Sequence, residues 1–410
     1  MSKKIYLDNA ATTPLDEEVF EAMRPYFSEK YGNASSLHQF GQDAQLGVVT
    51  ARQSVANFLG CEPPEVIFNS GATEGNNAVI KGFGLSKKLA QELGGQIHII
   101  TTAVEHECVL EAVKFLAKEN YIEATFLPVS QDGVISIAEL EKAVKLNTVL
   151  VSVMYANNEV GAIQPLAEIG QLLKELNKNR ANKIYFHTDA AQAINYLDCN
   201  VDRLGVDFLT LSAHKFYGPK GVGALYIRPN AFFTKFFHGG EQEFKMRAGT
   251  HNTPGIVGLG AAIEKVKSLK SKVKSMEDLR NKLIDGVLKK IKGSALNGSR
   301  DNNLPNIANF RFEGVEGEAI LIALDLEGIA VSTGSACASK SLEPSHVLQA
   351  MGLAALGAHS AVRFSLGRLT EEKEIDRVLE VLPGITERLR GISGGTAERA
   401  KDKLLKDLGC

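Results

Sequence analysis

Lys215 follows the apolar run VDFLTLSA (206–213) inside TLSAHKFYGPKG (210–221), together with Ser212 and His214. An amine at the end of an apolar strand tends to lose its proton and become nucleophilic, although a lysine can also carry its charge out to water. Asp189 stands in HTDAAQ (187–192), directly after apolar KIYF. A carboxylate there is expensive to bury without a cationic partner, unless the strand end is simply exposed. A third junction is FNSGATEGNN (68–77), where an apolar run ends in small residues and opens a helix. The backbone N–H groups of Gly71, Ala72 and Thr73, with the helix dipole, could hold a phosphate, though Ser, Gly and Thr before a helix also serve as plain caps. His106, in TTAVEHECVL (101–110), occupies a fourth such junction, where a lone histidine can equally be a cap or a packed core residue. One cofactor asks for this whole set. Pyridoxal phosphate needs a lysine for its aldehyde, an acid for its ring nitrogen and a helix N-terminus for its phosphate.

The four junctions converge only if their strands lie side by side. EVIFNS (65–70), IHIITTA (97–103), TVLVSVMYA (148–156), KIYFHTDA (183–190) and VDFLTLSA (206–213) are continuously apolar, as strands covered on both faces are. Helical periods such as 109–119 and 166–178 alternate with them, which predicts a mostly parallel, doubly wound sheet with ligands outside the strands' carboxyl ends. GPKGVG (218–223) runs straight into strand-like ALYI, with no Walker spacing and no following helix, so a nucleoside triphosphatase is rejected. The dinucleotide fingerprint is missing as well.

At 410 residues the chain exceeds what one core usually serves. The pattern changes near residue 262: a charged helical stretch (263–291) is followed by short strands at 306–312, 329–333 and 361–366 and a closing helix near 371–389. The expected fold class is α/β, with a large domain over 15–262, a smaller α+β domain from 1–14 and 263–390, and a tail at 391–410 that is mobile or docks a partner. A formal charge of -2 provides no bulk field for nucleic acid or an anionic membrane. No apolar run approaches a bilayer span and the amino terminus lacks a signal core, so a cytoplasmic protein is expected.

Five scattered cysteines with no C-x-x-C pair suggest neither zinc nor a disulfide framework. Cys61 and Cys108 lie in roughly apolar runs, as structural cysteines do, whereas Cys337 sits in VSTGSACASKSLEPSH (331–346), whose Ser, Thr, Gly and Ala are too small to build a core. A thiol of ordinary pKa, about 8.5, is a few per cent thiolate at neutral pH, which is some reactivity before any tuning. Arg363, inside apolar SAVRFSLG (360–367), is either half of a structural ion pair or an anchor for a substrate carboxylate.

YLDNAATTP (6–14), GNASSLH (32–38), SGATEGNN (70–77), EHECV (105–109), NNEVGAIQP (157–165), HTDAAQ, SAHKFYGPKGVGALY (212–226), RAGTHN (247–252), STGSACASKSLEPSHVL (332–348) and VRFSLGR (362–368) together strongly resemble the cysteine desulfurases of the NifS/IscS group. The resemblance covers residues 5 to about 390 and implies the fold-type I pyridoxal-phosphate transferase fold, in homodimers with sites at the subunit interface. By motif, Lys215 is similar to the family's cofactor-tethering lysine and Asp189 to the partner of the ring nitrogen. His106 resembles the stacking, acid–base imidazole. Gln192 and Asn158, or its neighbour Asn157, resemble the contacts to the ring hydroxyl. Ala72, Thr73, Ser212 and His214 resemble phosphate ligands, with Thr250 reaching the phosphate of the other subunit. Cys337 matches the persulfide-forming cysteine of the mobile-loop branch and Arg363 the carboxylate anchor. Ala213 stands where a glycine often precedes the histidine of the lysine motif. The implied reaction turns L-cysteine into L-alanine and passes sulfur to an acceptor such as an iron–sulfur scaffold or a tRNA-thiolation protein, with no metal and no direct contact with nucleic acid. An aminotransferase or selenocysteine lyase of the same fold, or a non-catalytic docking protein, is the alternative.

Overall fold

In the computed structural model, residues 4–269, 273–333 and 344–407 are described, apart from the side chains of 268, 269 and 393–407. Twelve strands are named among them: β1 Ile5–Tyr6, β2 Val66–Asn69, β3 Ile97–Thr102, β4 Ile122–Leu127, β5 Thr148–Ser152, β6 Tyr185–Asp189, β7 Phe208–Ser212, β8 Gly223–Ile227, β9 Ser294–Leu296, β10 Ile307–Phe312, β11 Ile329–Ala330 and β12 Ala361–Ser365. The large sheet has seven, in the order β2-β8-β7-β6-β5-β3-β4. Neighbours from β7 to β4 pair in parallel, while β8 runs antiparallel to both β2 and β7. Strands β3, β5 and β7 are buried at every position, as a sheet covered by helices on both faces requires. Edge strand β4 is only half covered.

Helices α1 (Gln39–Leu59), α2 (Ala72–Gly84), α3 (Glu107–Lys118) and α4 (Leu166–Asn177) pack on this sheet. The buried positions of α3, Val109, Leu110, Ala112, Val113 and Leu116, follow a helical period and explain why this segment coils. Helix α5 (Thr253–Leu269) begins ten residues before the charged stretch, and its Ile256, Leu259, Ala262, Ile263 and Val266 belong to the large core. Helix α6 (Val273–Lys290) follows.

A second core unites Ile5 and Leu7 with residues from 276 to 385. There β9, β10 and β12 form an antiparallel sheet, and β1 pairs with β11 in parallel. The closing helix, α7 (Glu372–Asp407), continues without a break through the segment expected to be a separate tail. Between the two cores the segment 9–13 is clamped: Asn9 N–H donates to Ser365 O (3.1 Å), Ala10 N–H to Ser365 Oγ (2.9 Å) and Thr13 N–H to His214 O (2.9 Å). No helix among the described residues is long and apolar enough to cross a membrane.

Candidate active site

The parallel register brings the ends of β2, β3, β6 and β7 to one edge of the sheet, where they surround a cavity of about 530 Å³. Ala72, Thr73, His106, Asn158, Asp189, Gln192, Ser212, His214 and Lys215 all line it. A volume of this size suits a cofactor together with a small substrate.

Strand β6 ends at Asp189, a residue only 6 % exposed. Asn76 Nδ2 donates to its Oδ2 (2.6 Å) and Ala191 N–H to its Oδ1 (2.9 Å). Both donors are neutral, so they orient the carboxylate without cancelling its charge. Strand β7 ends at Ser212 and the chain turns through Ala213–Lys215. Lys215 Nζ donates to Ala10 O (2.7 Å) and Ala11 O (2.8 Å), while Gln192 Nε2 shares Ala10 O (2.9 Å). His214 Nδ1 lies 3.1 Å from Thr12 Oγ1. Burial, with Lys215 and Lys220 adding to it, lowers His214 to about 4, so this ring meets a ligand as a neutral hydrogen-bonding group.

Helix α2 starts after Gly71, at φ 142° and ψ -178°, with no side-chain cap. This backbone region belongs almost only to glycine, and a Cβ there would come within 3.4 Å of Ser212 Oγ. The first-turn N–H groups are therefore uncovered at the cavity wall, which is how an anion site is made. Glu74, in the same turn, would repel a phosphate, but Arg247 pairs with it through Nε (2.9 Å) and Nη2 (3.2 Å). Burial works against the ionised form of Glu74, yet Arg247 and the Ser70 N–H hold its pKa below the ordinary value.

His106 caps α3: its Nδ1 accepts from Cys108 N–H (3.2 Å) and lies 3.1 Å from Cys108 Sγ. Burial lowers its pKa, with Lys215 acting in the same direction and Asp189 against. Of the two adjacent asparagines, Asn157 is consumed internally, by Val104 O and the N–H groups of Glu159 and Val160. Asn158 is the one at the cavity.

Two of the expected residues do not line the cavity. Arg363 is 1 % exposed and lies behind it, with Nη2 on Asp8 Oδ1 (2.7 Å) and Nη1 on Asn158 O (2.8 Å). Thr250 is exposed. Cys337 lies outside the described residues. Cys108 packs against the core as expected, but it is half-buried and also reaches the cavity wall, because the second residue of α3 turns back toward the His106 cap. Asn76 and Arg247 escaped the sequence reading too. Asn76 could have been found, since it lies one helical turn after Ala72 and so shares its face.

A cleft with an oriented, uncancelled carboxylate, an amine and an uncovered helix N-terminus suits pyridoxal phosphate at its ring nitrogen, aldehyde and phosphate. The profile of the class-V aminotransferase family matches residues 5–378. This chain belongs to the class-V aminotransferase family. Its members share the fold-type I transferase fold and depend on pyridoxal phosphate. Within it, the chain is 49% identical over 396 residues to "Cysteine desulfurase IscS" of Dictyoglomus turgidum, covering 96% of this chain and 97% of that one. A solved "NIFS-like protein" superposes with a TM-score of 0.86 at 38% identity, over 94% of this chain and all (100%) of the other. The structure titled "SspA in complex with cysteine" gives 0.76 at 36% identity, over 89% and 99%.

Proposed function

We propose that this class-V family member is a cysteine desulfurase that leaves a persulfide on Cys337. The observation that carries this reading is the convergence of Lys215, Asp189, His106 and the α2 N-terminus on one cavity, in a chain 49% identical to a cysteine desulfurase. The cofactor supplies an electron sink that makes the substrate Cα proton removable. Lys215 Nζ tethers the cofactor and then moves that proton; Asp189 favours a protonated ring nitrogen; Ala72, Thr73, Ser212 and His214 hold the phosphate; Gln192 and Asn158 orient the ring hydroxyl. Arg363 is the anchor for the substrate carboxylate, which would have to share it with Asp8. His106 delivers a proton beside the substrate sulfur.

The Cys337 thiolate forms an S–S bond to that sulfur as the Cβ–S bond breaks. The sulfur stays on Cys337, and the carbon skeleton keeps the bonding electrons, gains a proton and leaves as L-alanine. Segment 334–343 is bracketed by Ser332, whose backbone bonds to that of Arg363, and by His346, whose Nε2 is 2.9 Å from Glu105 O beside His106. These brackets support delivery of Cys337 to the cavity.

The working unit is a homodimer. Phe27, Tyr31, Leu37, Phe40 and Leu46 expose from 53% to 91% of their surface within one short stretch, an apolar face suited to a second copy. Thr250, on an exposed segment, then reaches the partner's phosphate. The sulfur goes to a scaffold or other acceptor protein in the cytoplasm. Cys337→Ala is expected to keep the cofactor's visible absorbance and to release no alanine from cysteine. Mass spectrometry of the wild-type chain after exposure to cysteine should find one added sulfur on Cys337. Full turnover by the variant would overturn the reading.

A further inference from the structure

Cys108 and Asn76 belong to no step of the reaction just described, yet both are built into its cavity wall. Asn76 is fully buried (0 % exposed) and its Nδ2 donates to Asp189 Oδ2 (2.6 Å) and to Cys108 Sγ (3.2 Å). The amide can have only this orientation, because a flip would set its oxygen against the Asp189 carboxylate. Its Oδ1 is buried with no hydrogen bond among the described residues, a cost accepted to keep the NH2 group where it is.

Sγ, having accepted from Asn76, lies 3.1 Å from His106 Nδ1. Burial pushes the thiol up to about 12, and Asp189 adds to the effect, so sulfur keeps its proton near neutrality and has one to donate. The backbone N–H of Cys108, which can only donate, reaches the same ring nitrogen at 3.2 Å. Nδ1 therefore carries the lone pair, and the neutral ring must hold its single proton on Nε2.

We infer that Asn76 and Cys108 are positioning residues that form a hydrogen-bonded relay, Asp189–Asn76–Cys108–His106, in which Asn76 Nδ2 donates both ways and which, with the Cys108 backbone N–H, holds the His106 ring as its Nε2–H tautomer. The inference deepens the proposed function and rests on His106 being its acid–base imidazole. The relay makes the resting ring a hydrogen-bond donor at Nε2 and ties its orientation to the carboxylate that controls the cofactor ring. His106 and Asp189 then respond to the same intervening side chains.

The test is long-range 1H–15N correlation of the cofactor-free full chain labelled with 15N-histidine, the His106 signals being assigned by their loss in His106→Gln. Wild type is expected to show a protonated Nε2 and an unprotonated Nδ1. Cys108→Ala leaves the backbone N–H as the remaining donor to Nδ1 and should move both signals part of the way toward the averaged positions of an exchanging ring. Cys108→Ser, which keeps a donor, should restore the wild-type positions. Asn76→Ala should shift the signals the same way by less. A wild-type proton on Nδ1, an unshifted Cys108→Ala, or a Cys108→Ser that behaves like alanine would each overturn the inference, and an unshifted Asn76→Ala would overturn the relay beyond Cys108. This readout needs neither cofactor nor cysteine. Failure of the desulfurase assay would leave it standing, and failure of the tautomer result would leave the desulfurase reading intact.

Discussion

At the aspartate end of the cavity the polar groups are already committed to one another: Asp189, Asn76, Cys108 and His106 are linked by hydrogen bonds of 2.6, 3.2 and 3.1 Å. At the phosphate end the first turn of α2 has no side-chain cap, and Thr73 is exposed. The difference fits the roles proposed for the two ends. Control of a ring's charge depends on groups held rigidly before the ligand arrives, because reorganisation during reaction costs barrier height. A phosphate site works the other way. Its donors must stay unsatisfied by protein so that the ligand can satisfy them, and water covers them meanwhile.

The largest break in this comparison removes the group that stands between the two ends. Lys215→Ala is expected to abolish the visible band after gel filtration and to lower alanine release by roughly a thousandfold or more; an unchanged spectrum would remove Lys215 from its assigned role. Next comes the phosphate end, where Gly71→Ala forces a side chain into a glycine conformation. It should cost about 1–3 kcal/mol of stability, read by urea unfolding, and weaken cofactor retention.

A smaller and pH-dependent effect sharpens the picture of the aspartate end. Glu105 is 1 % exposed; its Oε1 accepts from Thr102 and Met154, while Oε2 has no hydrogen-bond partner among the described residues. Burial raises this carboxyl to about 8. Between its ordinary value and about 8 the folded chain binds a proton that the unfolded chain has released. Stability from this group is therefore complete at low pH and is lost as pH rises through that window. Glu105→Gln should flatten the slope, by at most about 1.4 kcal/mol per pH unit, when urea midpoints are compared from pH 5 to 8. The smallest effect lies near Arg247. Glu243, Phe244 and Lys245 have φ of 47°, 56° and 69°, and Arg52 holds Glu243 by a bidentate pair (2.8 and 2.6 Å). Lys245→Gly should relieve left-handed strain and stabilise the chain by about 0.5 kcal/mol, again seen as a shift in urea midpoint.

Legibility followed burial. Strands β2, β3, β5, β6 and β7 were visible because both their faces are covered, which forces continuous apolar runs. Edge strand β4 was not, since Glu123 and Thr125 on its half-open faces dilute the pattern. The run ending at Ala156 was read as strand to its end, but β5 stops at Ser152. Just beyond it, Met154 N–H turns away to Glu105 Oε1 (2.8 Å). The segment 391–410, expected to be a mobile or partner-docking tail, opens with glycines, yet the backbone of α7 runs through it as far as Asp407.

Residue type and strand-end position were enough to single out a lysine, an acid, an imidazole and a helix start that line one cavity, because each local signal is a departure from an apolar pattern. Tertiary structure decided which groups are spent and which remain available. Asn157 is consumed by backbone while Asn158 reaches the cavity. Arg363 is paired with Asp8, and Cys108, packed against the core, also reaches His106. Hydrogen-bond partners are set by distances between segments far apart in the chain, and such distances have no trace in a one-dimensional pattern.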